Sequence, residues 1–167
     1  MLSDIAKQLS SGPAPEAREQ WPLPGRSQQT PRQARTGVIE ACRRWGLPGD
    51  AADDLALIVS ELATNAVVHA PGKTVFVSLV LTSSAAHVVV IDEGRGESPC
   101  EEPPVPAGEG GRGLMLVQSV ASRFVMTTTA TGTTACASVA LAGTGAEDGW
   151  NTELDALVDS MQASLAP

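Results

Sequence analysis

The chain has 167 residues, and its 11 basic and 19 acidic side chains leave a net charge of −8, with 43% hydrophobic and 18% charged residues. That length suits one domain with a sizeable core, and the composition is that of a globular chain rather than a disordered one. No apolar run approaches the roughly 20 residues needed to span a bilayer, and Met1-Leu2-Ser3-Asp4 has neither the basic start nor the long apolar stretch of a secretory signal.

Residues 1–19 read as a flexible lead: Leu2, Ile5 and Leu9 suit a short amphipathic turn, which Ser-Ser-Gly-Pro-Ala-Pro breaks. Trp21-Pro-Leu-Pro suits a short edge strand at best, because proline cannot donate to a ladder. Thr30-Pro31-Arg32-Gln33 has the form of a capping box with proline at the first helical position, and Ala34, Val38, Ala41, Cys42 and Trp45 follow at helical spacing. Gly46-Leu47-Pro48 ends that helix. Asp50 is then the expected cap of a second helix, running to about His69 and closed by Pro71-Gly72. Thr74–Thr82 and His87–Asp92 read as strands joined by a small polar turn. A loop rich in Gly, Pro and Glu follows from Glu93 to Gly111, then a helix from about Arg112 with Leu114, Leu116, Val117 and Val120 as its apolar positions. Phe124–Thr129 and Thr133–Leu141 form a hairpin through Ala130-Thr131-Gly132. Residues 20–141 thus make one domain, 142–150 a linker, and 151–167 an amphipathic acidic helix with Leu154, Leu157, Val158, Met161 and Leu165 on one side. Helices cluster instead of alternating with strands. The expected architecture is therefore α+β, a two-layer sandwich with helices on one face of a mixed, mostly antiparallel sheet.

The charge is uneven. The acids Glu147, Asp148, Glu153, Asp155 and Asp159 lie in the last 21 residues, which hold no Lys or Arg. Between Arg18 and Arg44 six arginines stand against Glu19 and Glu40. With so few aromatic residues and an acidic total, that stretch suits a solvated helix face or a protein-docking face better than a nucleic-acid site. Cys42, Cys100 and Cys136 are widely separated, without a Cys-x-x-Cys, and the only histidines are His69 and His87. Neither a disulfide framework nor a zinc site has support, and reduced thiols in the cytoplasm are expected.

Four boxes carry chemistry. In the second helix, Asp54, Glu61 and Asn65 fall on one narrow stripe of an otherwise apolar cylinder. A carboxylate unpaired in a core is costly, so the stripe faces water, a cation or a polar ligand. The buried strand ending at Ile91 runs into Asp92-Glu93-Gly94-Arg95-Gly96, either a plain turn or a carboxylate at a pocket floor that glycines let a ligand approach. Gly108-Glu-Gly-Gly-Arg-Gly-Leu114 offers free amides at a helix start, which suits phosphate, although it is neither a P-loop nor a Rossmann fingerprint. Gly132-Thr133-Thr134 opens the last strand and by itself is ordinary strand sequence.

Taken in order, Glu61-Leu-Ala-Thr-Asn65-Ala-Val-Val-His69-Ala, Asp92-Glu-Gly94-Arg-Gly96, Gly111-Arg-Gly113-Leu114 and Gly132-Thr133-Thr134 resemble the GHKL, or Bergerat-fold, ATP-binding family. Within it the chain looks like the small anti-sigma-factor serine kinases and related stand-alone bacterial regulators. The resemblance spans about residues 20–141 and implies both cofactors, ATP and Mg²⁺. It implies that Asn65 coordinates Mg²⁺ beside the phosphates, that Glu61 orients or deprotonates the attacking hydroxyl, and that Asp92 accepts from the adenine amino group. It further implies that Gly94 and Gly96 let the base approach, that Gly111, Gly113 and Leu114 lie against the phosphates with Arg112 near the terminal one, and that Thr133 or Thr134 supports Asp92. His69, at the end of the helical box, is expected to be structural. The stretch from Glu97 to Gly108 holds the place of the family's lid but carries three acids and four prolines.

Two functions follow from the resemblance. One is transfer of phosphate from ATP to a serine of an antagonist protein, with sequestration of a sigma factor when the antagonist is absent, in the role of a transcription regulator. The other is a nucleotide-gated binding module with little turnover. Neither direct nucleic-acid binding nor membrane association is expected, and a homodimer is left open.

Overall fold

The computed structural model describes residues 16–70, 72–94, 112–129 and 131–141. In chain order the elements are β1 (Ala17–Pro24), α1 (Thr30–Trp45), α2 (Gly49–His69), β2 (Thr74–Leu81), β3 (Ala85–Asp92), α3 (Arg112–Val120), β4 (Arg123–Thr129) and β5 (Gly132–Ala140). The stretch at 97–108 that is expected to hold the place of the lid, Cys100, Gly96, Gly111 and the expected helix at 151–167 lie outside the described residues.

Strand alternation builds the sheet. Its order is β1-β2-β3-β5-β4, and every described pairing is antiparallel. The sequence suggests a mixed, mostly antiparallel sheet, and a helix does link β3 to β4. Those two strands do run the same way, but β5 inserts between them and pairs antiparallel with both. β1 is longer than Trp21-Pro-Leu-Pro suggests. Its prolines sit on an edge strand, where one side needs no donors.

One face of the sheet presents Val75, Val77 and Leu79 of β2, Ala86, Val88 and Val90 of β3, and Ala135, Ala137 and Val139 of β5. These pack under Ala34, Val38, Ala41 and Cys42 of α1 and Leu55, Ile58, Val59 and Leu62 of α2. Both helices bury residues at i, i+3 or i+4 spacing, the two-layer arrangement expected. Fully burying each Val, Leu or Ile contributes about 1.5–3 kcal/mol, and this layer holds most of the core.

The helix ends differ in detail from the sequence pattern. The capping box at Thr30 does not form: Thr30 is already helical, buried, and its hydroxyl donates to the Pro24 carbonyl, tying α1 to the end of β1. Asp50 is not the cap of α2. Pro48 occupies that position, and the Asp50 carboxylate accepts from the Ala51 N–H at 2.9 Å inside the first turn. Gly46 adopts φ 71°, and Leu47 N–H reaches the Cys42 carbonyl at 3.0 Å, so α1 ends as the sequence suggests. On α3, Val117 is buried while Leu116 is 46% exposed.

Candidate functional site

Alternation along β3 turns Asp92, its last residue, toward the helix layer. Its side chain is 5% exposed. One residue past the last β3–β5 ladder pair, Ile91 with Thr134, the Thr133 N–H donates to Asp92 Oδ1 at 2.9 Å. Burial raises the Asp92 pKa above the usual carboxylate value, and the Thr133 N–H opposes that rise. Among the described residues no hydrogen bond reaches Oδ2, which leaves one strong acceptor available to a ligand.

A cavity of about 320 Å³ opens beside this carboxylate. Leu62, Asn65, Ala66 and His69 of α2 line one side, spaced so that they share one helical face. Leu114 of α3 and Val90, Met126, Thr128, Thr133 and Ala135 of the sheet are also in the wall. A planar heterocycle suits these apolar walls, and the single carboxylate would fix its orientation by accepting from an exocyclic amine.

The sequence boxes meet only in part. Asp92, Asn65, Leu114 and Thr133 all line the cavity. Thr134 does not: alternation puts it on the opposite face of the sheet, so of the two threonines Thr133 is the one that holds Asp92, and through its backbone. Glu61 is half-buried and is not a wall residue. Its carboxylate lies at the α2–α3 junction, where a Cβ on Gly113 would come within 2.3 Å of Glu61 Oε2. Gly113 therefore makes room for that carboxylate. Arg112 is exposed at the start of α3 and is not part of the wall. The Gly94 N–H donates to the Thr131 carbonyl at 2.8 Å, so Gly94 closes the strand end against the hairpin. Gly132 is the residue that sequence reasoning undervalued. It adopts φ 153°, and a Cβ there would come within 2.0 Å of the Asp92 carbonyl oxygen. Its signal was present in Gly-Thr-Thr, but only the fold shows that the glycine lets β5 close onto β3 behind the carboxylate.

No group of three or more His, Cys, Asp or Glu side chains that could hold a metal occurs among the described residues. Besides the Asp92 carboxylate, whose Oδ1 is held by the Thr133 N–H, the cavity wall offers the Asn65 side-chain carbonyl as an oxygen donor suited to a hard cation. A magnesium ion there would take most of its shell from phosphate oxygens and water. That fits a single amide ligand and does not fit a protein-only cage.

Residues 23–139 match the family described as the histidine kinase-like ATPase domain. The chain belongs to this family, within the GHKL-type ATPases and kinases. ATP binding follows from membership. Among solved structures the chain is similar to the RsbU and RsbW domains of Rv1364c from Mycobacterium tuberculosis, with 22% identity and a TM-score of 0.59 over 77% of this chain and 33% of that one. It thus spans about a third of that structure, and the likeness speaks for the fold. A histidine kinase domain from the blue-light activated histidine kinase of Erythrobacter litoralis aligns with 23% identity and a TM-score of 0.42 over 83% of this chain and 74% of that one. No curated protein shows a significant match to the chain. No helix among the described residues is long and apolar enough to cross a membrane.

Proposed function

We propose that the protein is an ATP-dependent regulator of the RsbW kind: a cytoplasmic serine kinase that phosphorylates an antagonist protein and, when the antagonist is absent, holds a sigma factor. The observation that carries this reading is the buried Asp92, anchored by Thr133 and left with one acceptor facing a cavity of nucleotide-base size. Membership of the ATPase family and the RsbW domain in a structure of similar fold support it.

In this reading the Asp92 Oδ2 accepts from the adenine amino group while Leu62, Val90 and Ala135 enclose the ring. Asn65 supplies its carbonyl oxygen to Mg²⁺. Bound ATP and Mg²⁺ supply the phosphoryl donor and neutralise its charge. Glu61 takes the proton of the serine hydroxyl as the serine oxygen bonds to the γ-phosphorus, and the bond from phosphorus to the ADP oxygen breaks. Gly113 and Leu114 bring the start of α3 to the phosphates, and the exposed Arg112 is placed to turn toward the terminal one.

A second reading has its own observation. Glu61 packs beside Gly113 and not on the cavity wall, which suits a nucleotide-gated binding module with little turnover. One experiment separates the two. The purified protein is incubated with labelled ATP, magnesium and candidate antagonist proteins, and phosphoserine is mapped by mass spectrometry. Labelling that Glu61→Gln abolishes while ATP still binds supports the kinase. ATP binding without labelling of any candidate leaves the module.

A further inference from the structure

The second face of the sheet carries an observation that the nucleotide site does not use. Cross-strand partners form a row over all five strands: Arg18, Val80, His87, Ser138 and Arg123. The next row is Gln20, Ser78, Val89, Cys136 and Val125, and the one after it holds Phe76, Ile91 and Thr134. Every described helix packs on the opposite face. A sheet face open to water would show exposed side chains here. Instead His87 is 3% exposed, Val89 2%, and Cys136 and Ser138 0%. The polar atoms tell the same story. His87 Nδ1 meets Ser138 Oγ at 2.8 Å, but its Nε2 and the Thr134 hydroxyl oxygen are buried without a hydrogen-bond partner. Withdrawal from water also lowers the Arg18 pKa.

We infer that the C-terminal acidic segment, residues 151–167, docks as an amphipathic helix on this outer face. Three features select that occupant. Leu154, Leu157, Val158, Met161 and Leu165 repeat at helical spacing and give an apolar stripe about 17 Å long at 1.5 Å per residue. The row to be covered spans four strand spacings, roughly 19 Å. The charges are complementary: Glu153, Asp155 and Asp159 accompany the stripe without any Lys or Arg, and the row begins and ends on Arg18 and Arg123. The path is short as well. The chain leaves β5 at Leu141, whose N–H bonds the Ser84 carbonyl at 2.9 Å, at the same end of the sheet as the His87–Ser138 row. The residues between, Ala142 to Trp150, reach about 30 Å when extended, enough to turn onto the face. The N-terminal stretch offers only Leu2, Ile5 and Leu9, with Lys7 among them.

Two native cysteines report on the two faces. Cys136 lies on the outer face and Cys42 under the helix layer, both buried. In the full chain, labelling by a thiol reagent is followed at each site by mass spectrometry. The double variant Leu157→Asp, Met161→Asp is expected to speed labelling of Cys136 at least tenfold while Cys42 keeps its rate. An unchanged Cys136 rate overturns the inference. So does Cys136 protection in the native chain that falls on dilution, which assigns the cover to a second copy, or acceleration by Ile5→Asp, Leu9→Asp instead, which assigns it to the N-terminal stretch. Should both thiols accelerate together, the decision passes to cross-linking in an otherwise native chain carrying Cys42→Ser and Cys100→Ser. Single substitutions Leu154→Cys, Leu157→Cys, Val158→Cys and Met161→Cys are oxidised with diamide. A disulfide to Cys136 within one chain from at least one position upholds the docking; none, or disulfides only between chains, overturns it.

Discussion

Asp92 and His87 lie on the same strand and are buried to nearly the same degree, yet they face opposite sides of the sheet. Asp92 receives one N–H and keeps a second oxygen toward a cavity; His87 meets Ser138 and has its other nitrogen sealed off. Burial favours the neutral form of each, raising the acid's pKa and lowering the base's to about 4. The two differ in what the leftover polar atom can reach. A spare acceptor at a cavity is a recognition element. A spare nitrogen withdrawn from water makes the fold depend on protonation.

The largest expected effect breaks the His87 side of this pair. Its folded-state pKa of about 4 lies below the ordinary 6.5. The neutral ring therefore stabilises the fold fully above pH 6.5, and that contribution is lost as pH falls from 6.5 through 4. The change is on the order of 3 kcal/mol when fully developed. Urea unfolding at a series of pH values would show it, and His87→Asn is expected to flatten the slope across that window.

Next comes the Asp92 side. Asp92→Asn keeps an oxygen for the Thr133 N–H but presents an amide to the cavity in place of an acceptor. Loss of that bond to a buried base costs about 1.5–3 kcal/mol, roughly 10- to 150-fold in ATP affinity. Calorimetric titration with ATP–Mg²⁺ measures it, and unchanged affinity would refute the adenine assignment. Because the Asp92 pKa is raised, binding is also expected to weaken as pH falls through that raised value.

Two glycine substitutions sharpen the comparison at smaller cost. Gly132→Ala forces a Cβ against the Asp92 carbonyl at an unfavourable φ, and about 1–2 kcal/mol of stability should be lost. Thermal unfolding measures it. Gly113→Ala meets the movable end of Glu61 instead of backbone. Its stability should change by only a few tenths of a kcal/mol. If the kinase reading holds, phosphoryl transfer should fall while ATP affinity is kept.

Much of the fold was legible because its signals are local. The strand-forming apolar runs in Thr74–Leu81 and Ala85–Asp92, helical spacing from Ala34 to Cys42, and Gly46 as a terminator each depend on a few adjacent residues. The caps misled because Thr30 and Asp50 had competing partners, the Pro24 carbonyl and the first-turn N–H of Ala51, that short patterns do not weigh. In the candidate site, the stripe on α2 pointed to Asn65 and the strand end to Asp92, and both line the cavity. The choice between Thr133 and Thr134 was not legible, since a one-residue step moves a side chain through the sheet.

What the amino-acid order determined alone is the set of elements and the four boxes, because helix spacing, strand alternation and glycine placement act over one or two turns of chain. The fold decided what those boxes meet. The insertion of β5 between β3 and β4 brings the Thr133 N–H to Asp92, and the packing of α3 on α2 brings Gly113 to Glu61. Both depend on strand register and helix contact between residues distant in the chain, which local propensity does not encode.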